Sequence, residues 1–182
     1  MSKNQNMKYS LMTFSCPLLG LRELLETAKQ YGYHGIEPRI LCGHKHGIEP
    51  DTAPTQRRET RKQVEESGIA LSCLATSCVY ADPATVTKNV ADTLQCISLA
   101  ADVGAPAIRV FGGAIGKGLS RADAVKLVAE SLSSAADHAR TKNVTICMET
   151  HDDWCEPRQV AAVMQRASHP AIAVNWERLC RS

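Results

Sequence analysis

The 182-residue sequence has no stretch near the ~18 continuous apolar residues of a membrane span, so none is expected. It also lacks a secretory core. Met1 to Lys8 is polar, and the apolar stretch that follows is interrupted by Ser15 and Pro17. A cytoplasmic location is the expectation. No Cys-x-x-Cys pair occurs among the eight cysteines (16, 42, 73, 78, 96, 147, 155 and 180), and several lie inside apolar runs such as Leu71-Ser-Cys-Leu and Thr145-Ile-Cys-Met. They read as reduced thiols that pack as small hydrophobes. No Lys/Arg run is present, and 21 basic against 19 acidic residues leave a net charge of +2. The electrostatic footprint of a non-specific nucleic-acid binder is therefore missing. With 44% hydrophobic and 22% charged residues, the composition excludes a wholly disordered chain.

Short apolar runs alternate with amphipathic stretches throughout. Lys8 to Ser15, His34 to Ile40, Ile69 to Ala75, Ala107 to Phe111, Val144 to Glu149 and Ala171 to Trp176 read as six strands. Between them, Pro17 to Tyr31 spaces Leu21, Leu24, Leu25 and Ala28 as one helical face, and Thr55 to Ser67 is a charged helix stopped by Gly68. Pro83 to Val103 carries Val86, Val90, Leu94, Ile97 and Ala101 at helical spacing before Gly104. Ser120 with Asp123 forms a capping-box pattern ahead of Leu127, Val128, Leu132, Ala135 and Ala139, and Pro157 to Arg166 supplies Val160, Val163 and Met164.

Strand starts recur every 26 to 38 residues with no antiparallel turn signal between them. That is the pitch of strand-helix units, and near-continuous apolar strands imply a parallel sheet covered on both faces. Right-handed crossovers then give an α/β fold, either a doubly wound sheet or a (βα) barrel. The chain reads as a single domain over 1–182. Its length is short for a complete (βα) barrel, which usually takes about 250 residues.

Polar residues collect where parallel strands end, on one face of the sheet. Strand two ends in Glu37-Pro-Arg39, with Cys42, His44 and His46 in the next loop; strand four ends in Arg109-Val-Phe-Gly-Gly. Strand five ends in Glu149-Thr-His-Asp-Asp-Trp154 and strand six in Asn175-Trp-Glu177. Glu149 closes a strand of the barrel mouth, where a hard divalent cation offsets the desolvation of its carboxylate; a solvated strand-end acid is the alternative. His151 is read as a metal ligand, a group that orients a substrate hydroxyl, or a loop-start hydrogen-bonding residue. Cys42-Gly-His44-Lys-His46 places two imidazoles on one side of an extended loop, which reads either as a zinc site or as a polar loop over the mouth. Gly112 to Gly118 fails the Walker A pattern, with Phe111 at the first glycine position and Gly118 in place of the Ser/Thr. Its glycine amides, with Lys117 and Arg109, remain a candidate cradle for an anionic or polyhydroxyl ligand. The expected substrate-facing set is Arg39, His46, Arg109, Lys117 and Asn175.

Met12-Thr-Phe-Ser-Cys-Pro, Gly32-Tyr-His-Gly-Ile-Glu37, Arg109-Val-Phe-Gly-Gly, Glu149-Thr-His-Asp and Val174-Asn-Trp resemble the xylose isomerase-like TIM-barrel superfamily. This superfamily holds sugar-phosphate isomerases and epimerases and the endonuclease IV type of apurinic-site nuclease. The resemblance spans nearly the whole chain. It implies an incomplete barrel of about six strands and five helices, truncated after strand six. It also implies a divalent metal (Mn, Mg, Co or Zn) bound by a strand-five Glu, a strand-six Asp, a strand-seven His and a strand-eight Glu. Glu149 takes the first place and Glu177 the second, with an arm one methylene longer than Asp. Cys180 stands where some members carry a His, and the last two ligands have no position before Ser182. By the same resemblance, Glu149, Glu37 and His151 form the catalytic set.

Three readings follow from the resemblance. The first is a metal-dependent isomerase or epimerase of a small sugar or sugar phosphate; the second is an endonuclease IV-like phosphodiesterase, against which the near-neutral charge argues. The third is a non-catalytic or partner-completed barrel fragment, whose open sheet edges suit a homo-oligomer.

Overall fold

The structure, a computed structural model, describes residues 7–177. It is an α/β fold of parallel strands and five α-helices in regular alternation. β1 (Ser10–Met12) leads to α1 (Leu21–Gln30), and β2 (Gly35–Glu37) to α2 (Pro54–Ser67). β3 (Ala70–Leu71) and β4 (Leu74–Val79) precede α3 (Val86–Val103), and β5 (Ala107–Phe111) precedes α4 (Arg121–Thr141). β6 (Thr145–Glu149), α5 (Pro157–Ala167) and β7 (Ile172–Asn175) complete the order.

Local chemistry sets these boundaries. The Ser120 hydroxyl accepts from the Asp123 amide at 3.1 Å and so caps α4. Pro54 and Pro157 occupy first-turn positions, where a missing N–H costs nothing. Gly68 and Gly104 end α2 and α3 in left-handed conformations, with φ of 73° and 87°. Only Thr60 and Val64 of α2 are buried, as its charge pattern predicts. The helix expected from Pro83 begins at Val86, because the amides of Thr85 and Val86 turn back onto the Asp82 carbonyl.

The third expected strand is longer than its apolar run suggests, and it is split. β3 pairs with β2, whereas β4 pairs with β5, and a parallel bridge between Arg39 and Ala75 carries the sheet across the junction. The register shifts between Ala75 and Val79, where the Thr76 hydroxyl donates to the Arg109 carbonyl at 2.8 Å and accepts from the Cys78 amide. A side chain thus satisfies main-chain groups that the ladder would otherwise pair. The order is β1-β2-β3 continued by β4-β5-β6-β7, parallel throughout. Among the described residues β1 pairs only with β2 and β7 only with β6, so the barrel is not closed.

Strand residues alternate between two environments. Ile108, Val110, Ile146 and Met148 are fully buried in the core with Leu25, Ile97, Val128, Leu132 and Val163 from the helices. Arg109, Phe111, Cys147 and Glu149 occupy the intervening positions. In place of the expected near-continuous apolar strands, β5 and β6 keep one face apolar and mix Arg109 and Glu149 with Phe111 and Cys147 on the other. Cys16, Cys42, Cys73, Cys78, Cys96 and Cys147 are free thiols, but Cys155 is disulfide-bonded, against the expectation of uniformly reduced cysteines. Cys180 lies outside the described residues.

Candidate active site

The ends of the strands enclose a cavity of about 620 Å³. Glu149, the last residue of β6, stands in register with Phe111 on one side and Asn175 on the other. Its carboxylate is buried, and both oxygens are engaged. Oε1 accepts from Arg109 Nη1 at 3.3 Å, and Oε2 accepts from Asn175 Nδ2 at 2.8 Å. Arg109, which is 3% exposed, also brings Nε within 3.8 Å of Glu37 Oε1. One buried cation therefore stands between two carboxylates, under the ring of Phe111, whose centroid is 4.3 Å from the guanidinium carbon. Burial pushes the Glu37 carboxyl above its ordinary value, Arg109 partly offsets that, and the Glu149 charge adds to it.

Just beyond β6 and β7, respectively, His151 and Glu177 come close to Glu149. The Thr150 amide donates to the Asn175 carbonyl, and the Thr150 hydroxyl accepts from the Glu177 amide at 2.8 Å, which clips the end of β7 beside the end of β6. Glu149, His151 and Glu177 each offer a ligand atom, all within 4.8 Å of one another. Cis ligands of a small divalent ion lie roughly 3 Å apart, given metal–oxygen distances of about 2.0–2.1 Å, so a modest contraction suffices. Two atoms of this group, His151 Nδ1 and Glu177 Oε2, are buried without a hydrogen-bond partner. His151 Nδ1 lies 2.8 Å from Asp152 Oδ1, Nε2 lies 3.8 Å from Glu177 Oε2, and the ring meets Phe111 edge-on. Orphaned buried polar atoms in a carboxylate and imidazole set fit a borderline or hard divalent cation.

The model of the xylose isomerase-like TIM barrel family matches residues 25–177. The chain belongs to this family. No curated protein matches the sequence significantly. Solved structures of the same fold include D-psicose 3-epimerase with D-fructose, at 15% identity and a TM-score of 0.75, covering 93% of this chain and 63% of that one. The IOLI protein with a bound zinc atom gives 14% identity and 0.76, covering 92% and 62%. The 3-keto-D-glucoside 4-epimerase YcjR from E. coli gives 12% and 0.76, covering 94% and 68%. At such identities the likeness concerns the fold. The chain spans about 63% of the length of D-psicose 3-epimerase.

Within this family fold, the cavity brings together Glu37, Arg39, Arg109, Glu149, His151, Asn175 and Glu177, all of them candidates from the sequence. His46 and Lys117 do not line it. The His46 ring is buried, with Nε2 on the Arg39 carbonyl at 3.0 Å and Nδ1 accepting from the Ile48 amide at 3.0 Å. Both nitrogens are spent on the backbone, so His46 anchors the loop that follows Arg39 instead of meeting a ligand. His44 Nδ1 lies 3.2 Å from the Thr13 hydroxyl, and the two imidazoles meet edge-on. The loop zinc site is not formed, since the described residues contain one metal-capable group and it excludes Cys42, His44 and His46.

Lys117 is exposed, on a glycine loop drawn away toward the Asp152–Trp154 turn. Trp154 is fully buried and donates from Nε1 to the Gly113 carbonyl at 2.8 Å; Asp153 accepts from the Ile115 amide. A Cβ on Gly112 would fall 2.2 Å from Trp154 Nε1. The glycines thus admit the indole, and the phosphate-cradle expectation is replaced by a loop clamp. Ser77, at the polar end of the third strand, also lines the cavity, as do Met12, Phe14, Val79, Phe111 and Trp176, which were not among the candidates. Period-two alternation along β5 would have found Phe111 from Arg109, whereas Phe14 sits in a 3₁₀ turn, Thr13–Ser15, beyond the end of β1.

No helix among the described residues is long and apolar enough to cross a membrane.

Proposed function

We propose that this chain carries the metal- and substrate-binding half of a divalent-metal-dependent isomerase or epimerase for a small sugar or sugar derivative. The Glu149, His151 and Glu177 group supports this reading most directly, because its ligand atoms gather within 4.8 Å on the wall of a cavity that Glu37 also lines. When bound, a divalent cation polarises a substrate carbonyl and the adjacent hydroxyl. Glu149 and Glu177 carry the cation's charge, and Asn175 fixes the rotamer of Glu149. Glu37 moves the proton between neighbouring carbons, its raised pKa bringing it nearer the value a proton carrier needs around neutrality. Arg109 keeps Glu37 and Glu149 from repelling each other. Phe14 and Trp176, both largely exposed on the cavity wall, offer apolar faces to a sugar ring.

Calorimetric titration with Mn²⁺, Mg²⁺, Co²⁺ and Zn²⁺ tests the site, followed by chromatography of ketose mixtures incubated with the metal-loaded chain. Saturable binding of one equivalent that is lost in Glu149→Gln supports the reading; nicking of abasic DNA in place of sugar turnover would move the chain to the endonuclease branch. A second reading rests on the outer edges of β1 and β7, which pair with no other strand among the described residues. We propose that they are a surface for association, including self-association of this chain. Light scattering after size exclusion tests this, and a monomer at all concentrations counts against it.

A further inference from the structure

The Arg109 guanidinium carries five N–H donors in a planar fork. The structure uses them unequally. Nη1 donates to Glu149 Oε1. Nε pairs with Glu37 Oε1 only at ion-pair range, 3.8 Å, and neither Nε nor Nη2 has a hydrogen-bond partner. These two nitrogens share one edge of the guanidinium, the edge that grips a planar two-oxygen anion through parallel bonds. Phe111 covers one ring-facing side of the group, which limits its rotation. Buried unpaired donors on a cation are costly, so a group that fills this edge contributes strongly to binding.

The protein's own acceptors do not supply that group. Asn175 and Nη1 already occupy both oxygens of Glu149, and Glu37 remains out of hydrogen-bond reach. Arg109 lines the 620 Å³ cavity, and Nε and Nη2 lie buried behind its wall, so a ligand reaches this edge only with movement of that wall. On the same wall, half-buried Arg39 stacks on Phe14 at 5.3 Å with its Nε also lacking a hydrogen-bond partner.

Resting on the reading of this cavity as a substrate site, we propose that the free edge of Arg109 receives a carboxylate of the substrate. The substrate class is then a sugar acid or a related polyhydroxy acid, not a neutral sugar. A carboxylate matches the edge in plane and in number of oxygens. A phosphate monoester would bring close to two negative charges against Glu149 and Glu37, and the exposed Lys117 stands off the cavity. Arg39 then holds the distal hydroxyls or a second anionic oxygen.

The test titrates the Mn²⁺-loaded 182-residue chain with D-gluconate, D-glucitol and D-glucose 6-phosphate by calorimetry. Gluconate is expected to bind about tenfold or more tightly than either of the others, the ratio one charge-assisted pair gives. Arg109→Met should bring gluconate and glucitol within about twofold, and Arg109→Lys, which keeps the charge but not the fork, should restore little. Circular dichroism checks that both variants fold. If they do not, the wild type decides: gluconate, and not glucitol, must shift an exchange-protected arginine Nε–H signal in ¹⁵N-labelled protein. Equal binding of gluconate and glucitol, tighter binding of glucose 6-phosphate, or a gluconate preference that survives in folded Arg109→Met overturns the proposal. Mn²⁺ titrated alone separates the two readings. Retained Mn²⁺ binding without gluconate preference removes only the carboxylate receptor, whereas loss of Mn²⁺ binding with the preference intact removes only the metal reading.

Discussion

The contact between Gly112 and Trp154 makes the loop that flanks the site testable in a quantitative way. A methyl group at Gly112 would meet Nε1, Cδ1 and Cε2 of the indole at 2.2, 2.3 and 2.5 Å. All three are far below van der Waals contact, and the ring cannot retreat, because Trp154 is fully buried and its N–H is tied to the Gly113 carbonyl. Gly112→Ala must displace either the indole or the main chain. Overpacking of a tight site costs about 1–3 kcal/mol, and loss of the buried indole hydrogen bond adds about 1 kcal/mol. The sum, about 3 kcal/mol, lowers Tm by about 6–12 °C for a chain of this size. Trp154→Leu alone leaves a void where a large aromatic stood and costs about 3 kcal/mol or more. In the double variant the alanine methyl meets no indole, so the two costs should fall short of adding by at least ~1 kcal/mol. Thermal melts of the four proteins give that coupling directly. Because His151 precedes the same turn, Gly112→Ala should also weaken Mn²⁺ binding. Additivity within about 0.5 kcal/mol, or a Gly112→Ala protein as stable as wild type, would refute the clamp.

Three further outcomes follow from the site. Burial holds the Glu37 carboxyl above its ordinary value, so ionised Glu37 costs stability at neutral pH, and this cost fades as pH falls through the raised folded value toward about 4.3. Metal-free Glu37→Gln should therefore be more stable than wild type at pH 7 and lose its advantage by pH 4; the opposite trend in urea melts would contradict the assignment. Burial pushes the His46 imidazole down, so the unfolded chain takes up its proton first, and stability should drain away as pH falls below about 6.5 toward the lower folded value. His46→Gln should flatten that part of the Tm profile between pH 7.5 and 5.5. Glu149→Gln leaves Arg109 without its closest carboxylate in a buried setting, at a cost of about 3 kcal/mol, and should weaken Mn²⁺ binding at least about tenfold. A variant that melts and binds metal like wild type would place the charge balance of the cavity elsewhere.

The sequence carried the alternation of strands and helices because both signals are local. Leu24, Leu25 and Ala28 lie on one helical face, and Ile108 and Val110 alternate with Arg109, whatever the rest of the chain does. The strand-end rule placed Glu37, Arg109, Glu149, Asn175 and Glu177 on one face for the same reason: parallel topology alone sends them there. What stayed hidden depends on partners distant in sequence. His46 resembles a ligand until the Arg39 carbonyl and the Ile48 amide claim its two nitrogens, and no spacing rule encodes the first of those contacts. Gly112 to Gly118 has the composition of an anion cradle, yet its glycines make room for Trp154, some forty residues on. The split of the third strand at Ser72 and Cys73 arises because its two halves serve different neighbours, a demand of sheet closure that composition does not carry. The same logic explains why Arg109 is the most informative residue of the site. Its charge is legible anywhere, but only the fold decides that Glu149 takes one nitrogen, that Glu37 stops 3.8 Å from Nε, and that Nε and Nη2 are buried without a hydrogen-bond partner. A buried arginine hydrogen-bonded on every side would be a structural counter-charge; this one is hydrogen-bonded through Nη1 alone, with Glu37 only at ion-pair range, and that asymmetry is the physical basis for assigning it a ligand.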